Sequence, residues 1–238
     1  MRDTRRYNLA PAIGFGLLIT GGSAWLAGAR IDAGAGYPLK AVTVFALMIG
    51  VIIAVAGKEH PYPRFGPANG VTMIRAMLVA LVAALIGHPA PPETLWWVIG
   101  LTALMAALDG LDGWLARRTG MASGFGARFD METDAVLILV LSILVWQHEK
   151  AGAWVLLCGL MRYGFVAAGW LVPWLAQPLQ STLRGKTVAV GQLLGLSVAL
   201  APIVPAPLSA VAAALALTAL AWSFAIDIMR LSRQYRTT

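Results

Sequence analysis

Four aspartates, Asp109 and Asp112 followed by Asp130 and Asp134, stand at the ends of two strongly apolar stretches. A carboxylate deep in a bilayer costs about 2.5–3.5 kcal/mol on insertion scales, so four uncompensated ones would cost on the order of 10 kcal/mol. At 3.6 residues per turn, Asp109, Asp112, Gly113 and Ala116 share one helical stripe, and Gly126, Asp130 and Asp134 share another. Acids beside residues with almost no side chain describe a cavity with an anionic wall. Oxygen ligands without His or Cys favour magnesium or manganese over zinc. Four carboxylates offer roughly the charge needed by two such ions, as in two-metal phosphoryl chemistry. The competing reading is a set of Asp–Arg pairs using Arg75, Arg117, Arg118 and Arg128. Such pairs would explain one or two acids, not two stripes backed by glycine.

The elements that must position these acids follow from composition. The chain has 238 residues, 59% hydrophobic and 12% charged, and a mean hydropathy of +0.74. That balance lies outside the soluble globular range and reads as an all-α, polytopic membrane bundle. Apolar runs near the spanning length of about 20 residues occur at 9–29, 38–56, 69–88, 94–116, 127–147, 151–175, 187–204 and 207–229. Eight spans with short loops leave no room for a separate soluble domain. Gly57 to Pro67, with Pro61, Pro63 and Pro67, cannot be a continuous helix. It separates a two-helix front (1–56) from a six-helix remainder (67–238), which holds the intramembrane polar residues of interest. Gly14, Gly16, Gly21 and Gly22 suit the front pair to close packing.

With the N-terminus inside, the inner segments hold Arg2, Arg5, Arg6, Lys58, Arg64, Arg117, Arg118, Arg128, Arg184, Lys186, Arg230, Arg233 and Arg236. The outer loops hold Arg30, Lys40 and Lys150, while Arg75 and Arg162 lie within spans. This bias is what the positive-inside rule predicts for an even number of spans with both ends inside. The net charge of +7 then serves the anionic inner leaflet rather than nucleic acid. Arg2, Arg5 and Arg6, the next apolar run and Ala27-Gly28-Ala29 mimic a cleavable leader, but the run is long for one and fits a retained span. Cys158, alone within an apolar span, reads as a small packing residue. Trp96, Trp97, Trp146, Trp154 and Trp174 read as interfacial anchors.

Asp109, Asp112, Gly113, Ala116, Arg117, Gly126, Asp130 and Asp134 match D-x2-D-G-x2-A-R-x8-G-x3-D-x3-D at every position. In this the chain resembles the CDP-alcohol phosphotransferases. Pro67, Asn69, Thr72 and Arg75 are similar to the P-N-x2-T-x2-R that precedes the first family helix, with Ala68 inserted. The resemblance covers the six-helix part. It implies an integral membrane enzyme of phospholipid biosynthesis that passes a phosphatidyl group from CDP-diacylglycerol to the hydroxyl of a small polar alcohol and releases CMP. It also implies that Asp109, Asp112 and Asp130 bind Mg2+ or Mn2+, with Asp134 bordering the metal and acting as the base. Gly113 and Arg117 would contact the cytidine nucleotide, with Asn69 and Thr72 nearby. Members of the family are commonly homodimers, which small residues on several helices permit. The expected location is a bacterial-type inner (cytoplasmic) membrane, with the active site facing the cytoplasm.

For the acceptor, Arg162 within a span and Arg184 and Lys186 at the entry to the seventh are three cations suited to a phosphate. Ordinary inner-face topology is an equal reading of Arg184 and Lys186. Gly185-Lys186 with Gln192 is similar to a loop of bacterial phosphatidylglycerophosphate synthases, although Val188 and Ala189 depart from it. Met131 and Thr133 look more like the inositol-lipid synthases. Glycerol 3-phosphate is the favoured acceptor, with inositol or inositol phosphate as the alternative. Asp227 is expected to pair with Arg230 at i+3. Two rivals stand apart from the resemblance. An aspartate-rich membrane prenyltransferase would place its two acidic motifs in separate halves of the chain. A cation transporter would show an internal repeat, and none is visible.

Overall fold

The computed structural model describes residues 9–31, 33–56, 62, 64–176 and 183–236. Arg2, Arg5, Arg6, Lys58, Pro61 and Pro63, used above for leader, topology and boundary, lie outside the described residues. The chain forms α1 (Ala10–Arg30), α2 (Gly36–Ala56), α3 (Pro67–Ala83), α4 (Pro92–Thr119), α5 (Gly124–Gln147), α6 (Leu157–Leu171), α7 (Leu183–Leu200) and α8 (Ala206–Arg236). Short 3-10 turns occur at Ala153–Leu156 and Pro173–Ala176, and the described residues contain no strand. The protein is a helical membrane bundle, as its composition predicts.

Among the described residues, five segments are long and apolar enough to cross a membrane: Ala10–Arg30, Gly36–Ala54, Pro92–Thr119, Ala153–Leu171 and Ala206–Tyr235. The eight helices answer the eight apolar runs, and α3, α5 and α7 fall outside these five. The helix α3 stops at Ala83 after 17 residues, because the apolar run that continues to residue 88 turns instead. The helix α5 carries Asp130, Glu132 and Asp134, and α7 opens on Arg184 and Lys186. Counting apolar runs joined residues across helix ends and passed over charged first turns. Leu18, Trp170, Leu171 and Ile203 are each more than three-quarters exposed, the outward apolar face that lipid solvates.

The chain divides into two compact units, Met1–Leu137 and Ile138–Thr238, and the division falls inside α5. In the first, α1 packs on α2 and α3, α2 packs on α3, and α3 packs on α4. A Cβ at Gly16 would lie 2.7 Å from the Phe45 ring and 3.6 Å from Met73 Sδ, so α1 approaches both neighbours through a position without a side chain. Gly21 faces Val42, whereas Gly14 and Gly22 face open space, so two of the four small residues serve this packing. Tyr37 Oη donates to Leu81 O at 2.7 Å and Lys40 Nζ to Ile86 O at 3.1 Å, tying the start of α2 to the end of α3. The start of α3 is set by Gly66, at φ +81°, and by Pro67, whose missing N–H costs nothing in a first turn.

In the second unit, α8 packs on α7 and α6. Gln192 is buried on α7 and donates through Nε2 to Ala216 O at 3.1 Å. Lys150, read from sequence as an outer-loop charge, donates to Ala201 O at 3.1 Å and Val204 O at 2.7 Å. It therefore clasps the turn just beyond the end of α7, where Ala201 O also accepts the Val204 N–H at 3.1 Å. Cys158 is buried and free.

Candidate active site

The acids occupy the second half of α4 and the first half of α5. Gly120, left-handed at φ +65°, ends α4, where a Cβ would be strained. Three residues later Ser123 starts α5, its Oγ accepting the Gly126 N–H at 3.0 Å as an N-cap does. Tyr62 Oη fastens the intervening loop, donating to Gly120 O at 2.8 Å with Ala122 O at 3.3 Å. This folding brings one carboxylate oxygen each from Asp109, Asp112 and Asp130 within 4.8 Å of one another. Asp112 is buried; Asp109, Asp130 and Asp134 are half-buried.

Arg75, from the middle of α3, stands among them with only 2% of its surface exposed. Its Nη1 lies 3.0 Å from Asp109 Oδ1, 2.9 Å from Asp112 Oδ2 and 2.5 Å from Asp130 Oδ1. Its Nη2 pairs with Asp134 Oδ1. Asp134 therefore belongs to the cluster through Arg75 but not to the group of three mutually close oxygens. The expectation that arginine pairs explain only one or two acids is corrected here. One guanidinium reaches all four, because α3 carries Arg75 between acids of both stripes. Arg117, Arg118 and Arg128 make no ion pair with these acids among the described residues, and Arg118 lies over the Trp114 ring at 4.8 Å.

Below the acids lies a cavity of about 240 Å³, lined by Asn69 and Thr72 of α3, Asp112, Gly113 and Arg117 of α4, and Gly126 and Asp130 of α5, among others. All four residues expected to contact the nucleotide are thus gathered with two of the expected metal ligands. Thr72 Oγ1 lies 3.0 Å from Asp112 Oδ2 and 3.1 Å from Ala68 O, so its single proton serves one acceptor at a time. Asn69 Nδ2 donates to Phe65 O at 2.5 Å. A Cβ at Gly126 would stand 2.7 Å from Asn69 Oδ1, and one at Gly113 would stand 3.4 Å from Arg117 Nη1. The glycines of the motif therefore leave room for the polar groups that line the cavity. A separate cavity of about 290 Å³, between Arg30, Tyr37, Leu81, Trp97 and neighbours, has no carboxylate in its wall.

The donor set fits a hard divalent ion: three convergent carboxylate oxygens, no nitrogen or sulfur ligand, and a cavity alongside that Asn69, Thr72 and Arg117 help line. Glu132, off the acidic stripe, is half-buried. The acceptor candidates lie in the second unit. Arg162 is half-buried on α6, Lys186 is exposed on α7, and Arg184 pairs with Asp227 of α8. The expected Asp227–Arg230 pair is replaced by this one, since α7 and α8 pack together and bring Arg184 within reach.

Two contributors, Ser123 and Tyr62, lie outside the residues that the sequence singles out for the site, whereas Arg75 is a cation inside an apolar run, which is itself a signal. Ser123 before Gly124 carried an N-cap signal. Tyr62 carried none.

A family model described as CDP-alcohol phosphatidyltransferase matches residues 65–226. Among curated proteins, CDP-diacylglycerol–glycerol-3-phosphate 3-phosphatidyltransferase of Cereibacter sphaeroides is 27% identical over 89 residues, which is 37% of this chain and 40% of that protein. The chain matches about two fifths of the length of this curated relative. No solved structure matches.

Proposed function

Because the chain belongs to the CDP-alcohol phosphatidyltransferase family, we propose that it transfers a phosphatidyl group from CDP-diacylglycerol to a small polar alcohol and releases CMP. The observation that carries this reading is the cavity joining Asn69, Thr72, Gly113 and Arg117 to Asp112 and Asp130. It offers a nucleotide diphosphate the Arg117 cation and the polar groups of Asn69 and Thr72 beside carboxylates that suit a divalent ion.

In this reading Asp109, Asp112 and Asp130 hold Mg2+ or Mn2+, with Asp134 at the border. Bound there, the ions would neutralise charge developing on the diphosphate. Arg117 and Asn69 bind the nucleotide, and Gly113 and Gly126 admit it. Asp134 takes the proton of the acceptor hydroxyl. The acceptor oxygen bonds to the phosphorus that carries diacylglycerol, and the bond from that phosphorus to the CMP oxygen breaks. CMP leaves with the electron pair. The helices α1 and α2 flank this core as an accessory pair. The enzyme acts at the inner face of a bacterial-type cytoplasmic membrane, an orientation supported by the basic bias of the inner segments.

Glycerol 3-phosphate is the proposed acceptor, supported by the activity named for the Cereibacter protein and by the cations Arg162, Arg184 and Lys186. Arg184 would exchange Asp227 for the acceptor phosphate. The test supplies purified protein with CDP-diacylglycerol and, separately, glycerol 3-phosphate, inositol and inositol phosphate, then identifies the lipid by mass spectrometry. Phosphatidylglycerophosphate is the expected product. An inositol lipid would redirect the acceptor assignment, and pyrophosphate release or vesicle cation uptake without a lipid product would contradict the reading.

A further inference from the structure

Arg75 Nη1 contacts the same three aspartates whose oxygens converge to suit a metal. A magnesium ion there would need oxygens at about 2.0–2.1 Å, whereas Nη1 sits 2.5–3.0 Å from them. Nitrogen and ion therefore claim the same small volume, and two positive centres that close repel strongly in a poorly hydrated site. Resting on the metal-site reading above, we propose that Arg75 is a resident counter-cation. It holds the four carboxylates together in the metal-free protein, and divalent metal binds by displacing its guanidinium from them.

Two features make the guanidinium displaceable. Nη1 has two protons for three carboxylates, so it satisfies them incompletely. Arg75 Nε is buried without a hydrogen-bond partner, so the polar contacts of the guanidinium go to the acids themselves. Moving it away frees three carboxylates that an ion would take over, and breaks in addition the Nη2 pair with Asp134. Without Arg75 and without metal, the carboxylates would stand partly buried and uncompensated, a strongly destabilised arrangement. The protein thus keeps a preassembled acidic site at the expense of some metal affinity.

The experiment uses the full chain in nanodiscs of neutral lipid, as wild type, Arg75→Met and Arg75→Lys, with Mn2+ alone as the probe. Its readouts are Mn2+ affinity and melting temperature in EDTA or Mn2+. Arg75→Met is expected to melt lower than wild type in EDTA, to match it in Mn2+, and to bind Mn2+ about tenfold tighter, because no competent fraction is lost to the seated guanidinium. Arg75→Lys, which keeps the charge but loses the fork that spans four acids, is expected to fall between them and carries the test if Arg75→Met does not fold. Mn2+ affinity unchanged or weakened in the variants, or a melting deficit equal with and without Mn2+, would overturn the proposal and leave the metal site standing. Failure of all three proteins to bind Mn2+ would remove the metal-site reading and the proposal with it.

Discussion

Thr72 Oγ1 sits 3.0 Å from Asp112 Oδ2, and both side chains are buried. A threonine one turn before Arg75 thus shares with it the most enclosed of the four carboxylates. Hydrogen bonds to charged groups contribute about 1.5–3 kcal/mol. Thr72→Val should lower stability by about that amount, read as a lower melting temperature. Thr72→Ser, which keeps the hydroxyl, should recover most of it.

The aspartates differ in role. Asp134→Asn should abolish turnover while leaving nucleotide binding intact, since Asp134 lies outside the cavity wall. Asp112→Ala should lose both, because Asp112 lines the cavity and belongs to the convergent oxygens. Titration with CDP-diacylglycerol alongside a CMP-release assay separates the two outcomes.

Gly126→Ala should narrow the cavity without unfolding the protein. The added carbon would stand 2.7 Å from Asn69 Oδ1, which must move. Overpacking of this kind costs about 1–3 kcal/mol of stability, and the displaced Asn69 amide should separately weaken CDP-lipid binding about tenfold, which is about 1.4 kcal/mol. An unchanged dissociation constant would show that the nucleotide does not use this space.

In the second unit, Arg184 and Asp227 should be coupled by about 1–2 kcal/mol in a double-mutant cycle on melting temperature, and Arg230 should show no coupling to Asp227. The two side chains are only 17% and 21% exposed, so solvent screens the pair weakly.

Local rules made the helices and the acidic motif legible in the sequence. The stripes at 109–116 and 126–134 follow from helix periodicity alone, and the carboxylates of Asp109, Asp112 and Asp130 converge as those stripes require. Arg75 was harder to place, because its sequence offsets of 34 and 59 residues from Asp109 and Asp134 give no local clue to a shared contact. The same limit hid Tyr62, whose hydroxyl reaches the Gly120–Ala122 loop across 58 residues of chain. Asp227 misled the reading in the opposite sense. A neighbour at i+3 was available, and tertiary packing of α7 on α8 supplied a different partner. The eight runs each hold a helix, and the differences lie at their ends, as where apolarity outlasts α3 after Ala83.

The central claim is tested most directly by following CMP release from CDP-diacylglycerol with glycerol 3-phosphate, using EDTA-stripped protein before and after Mn2+ or Mg2+ is restored. The account predicts no CMP and no lipid product in EDTA, recovery of both with either ion, and no recovery in Asp112→Ala. Equal CMP release in EDTA, or full turnover by Asp112→Ala, would contradict it.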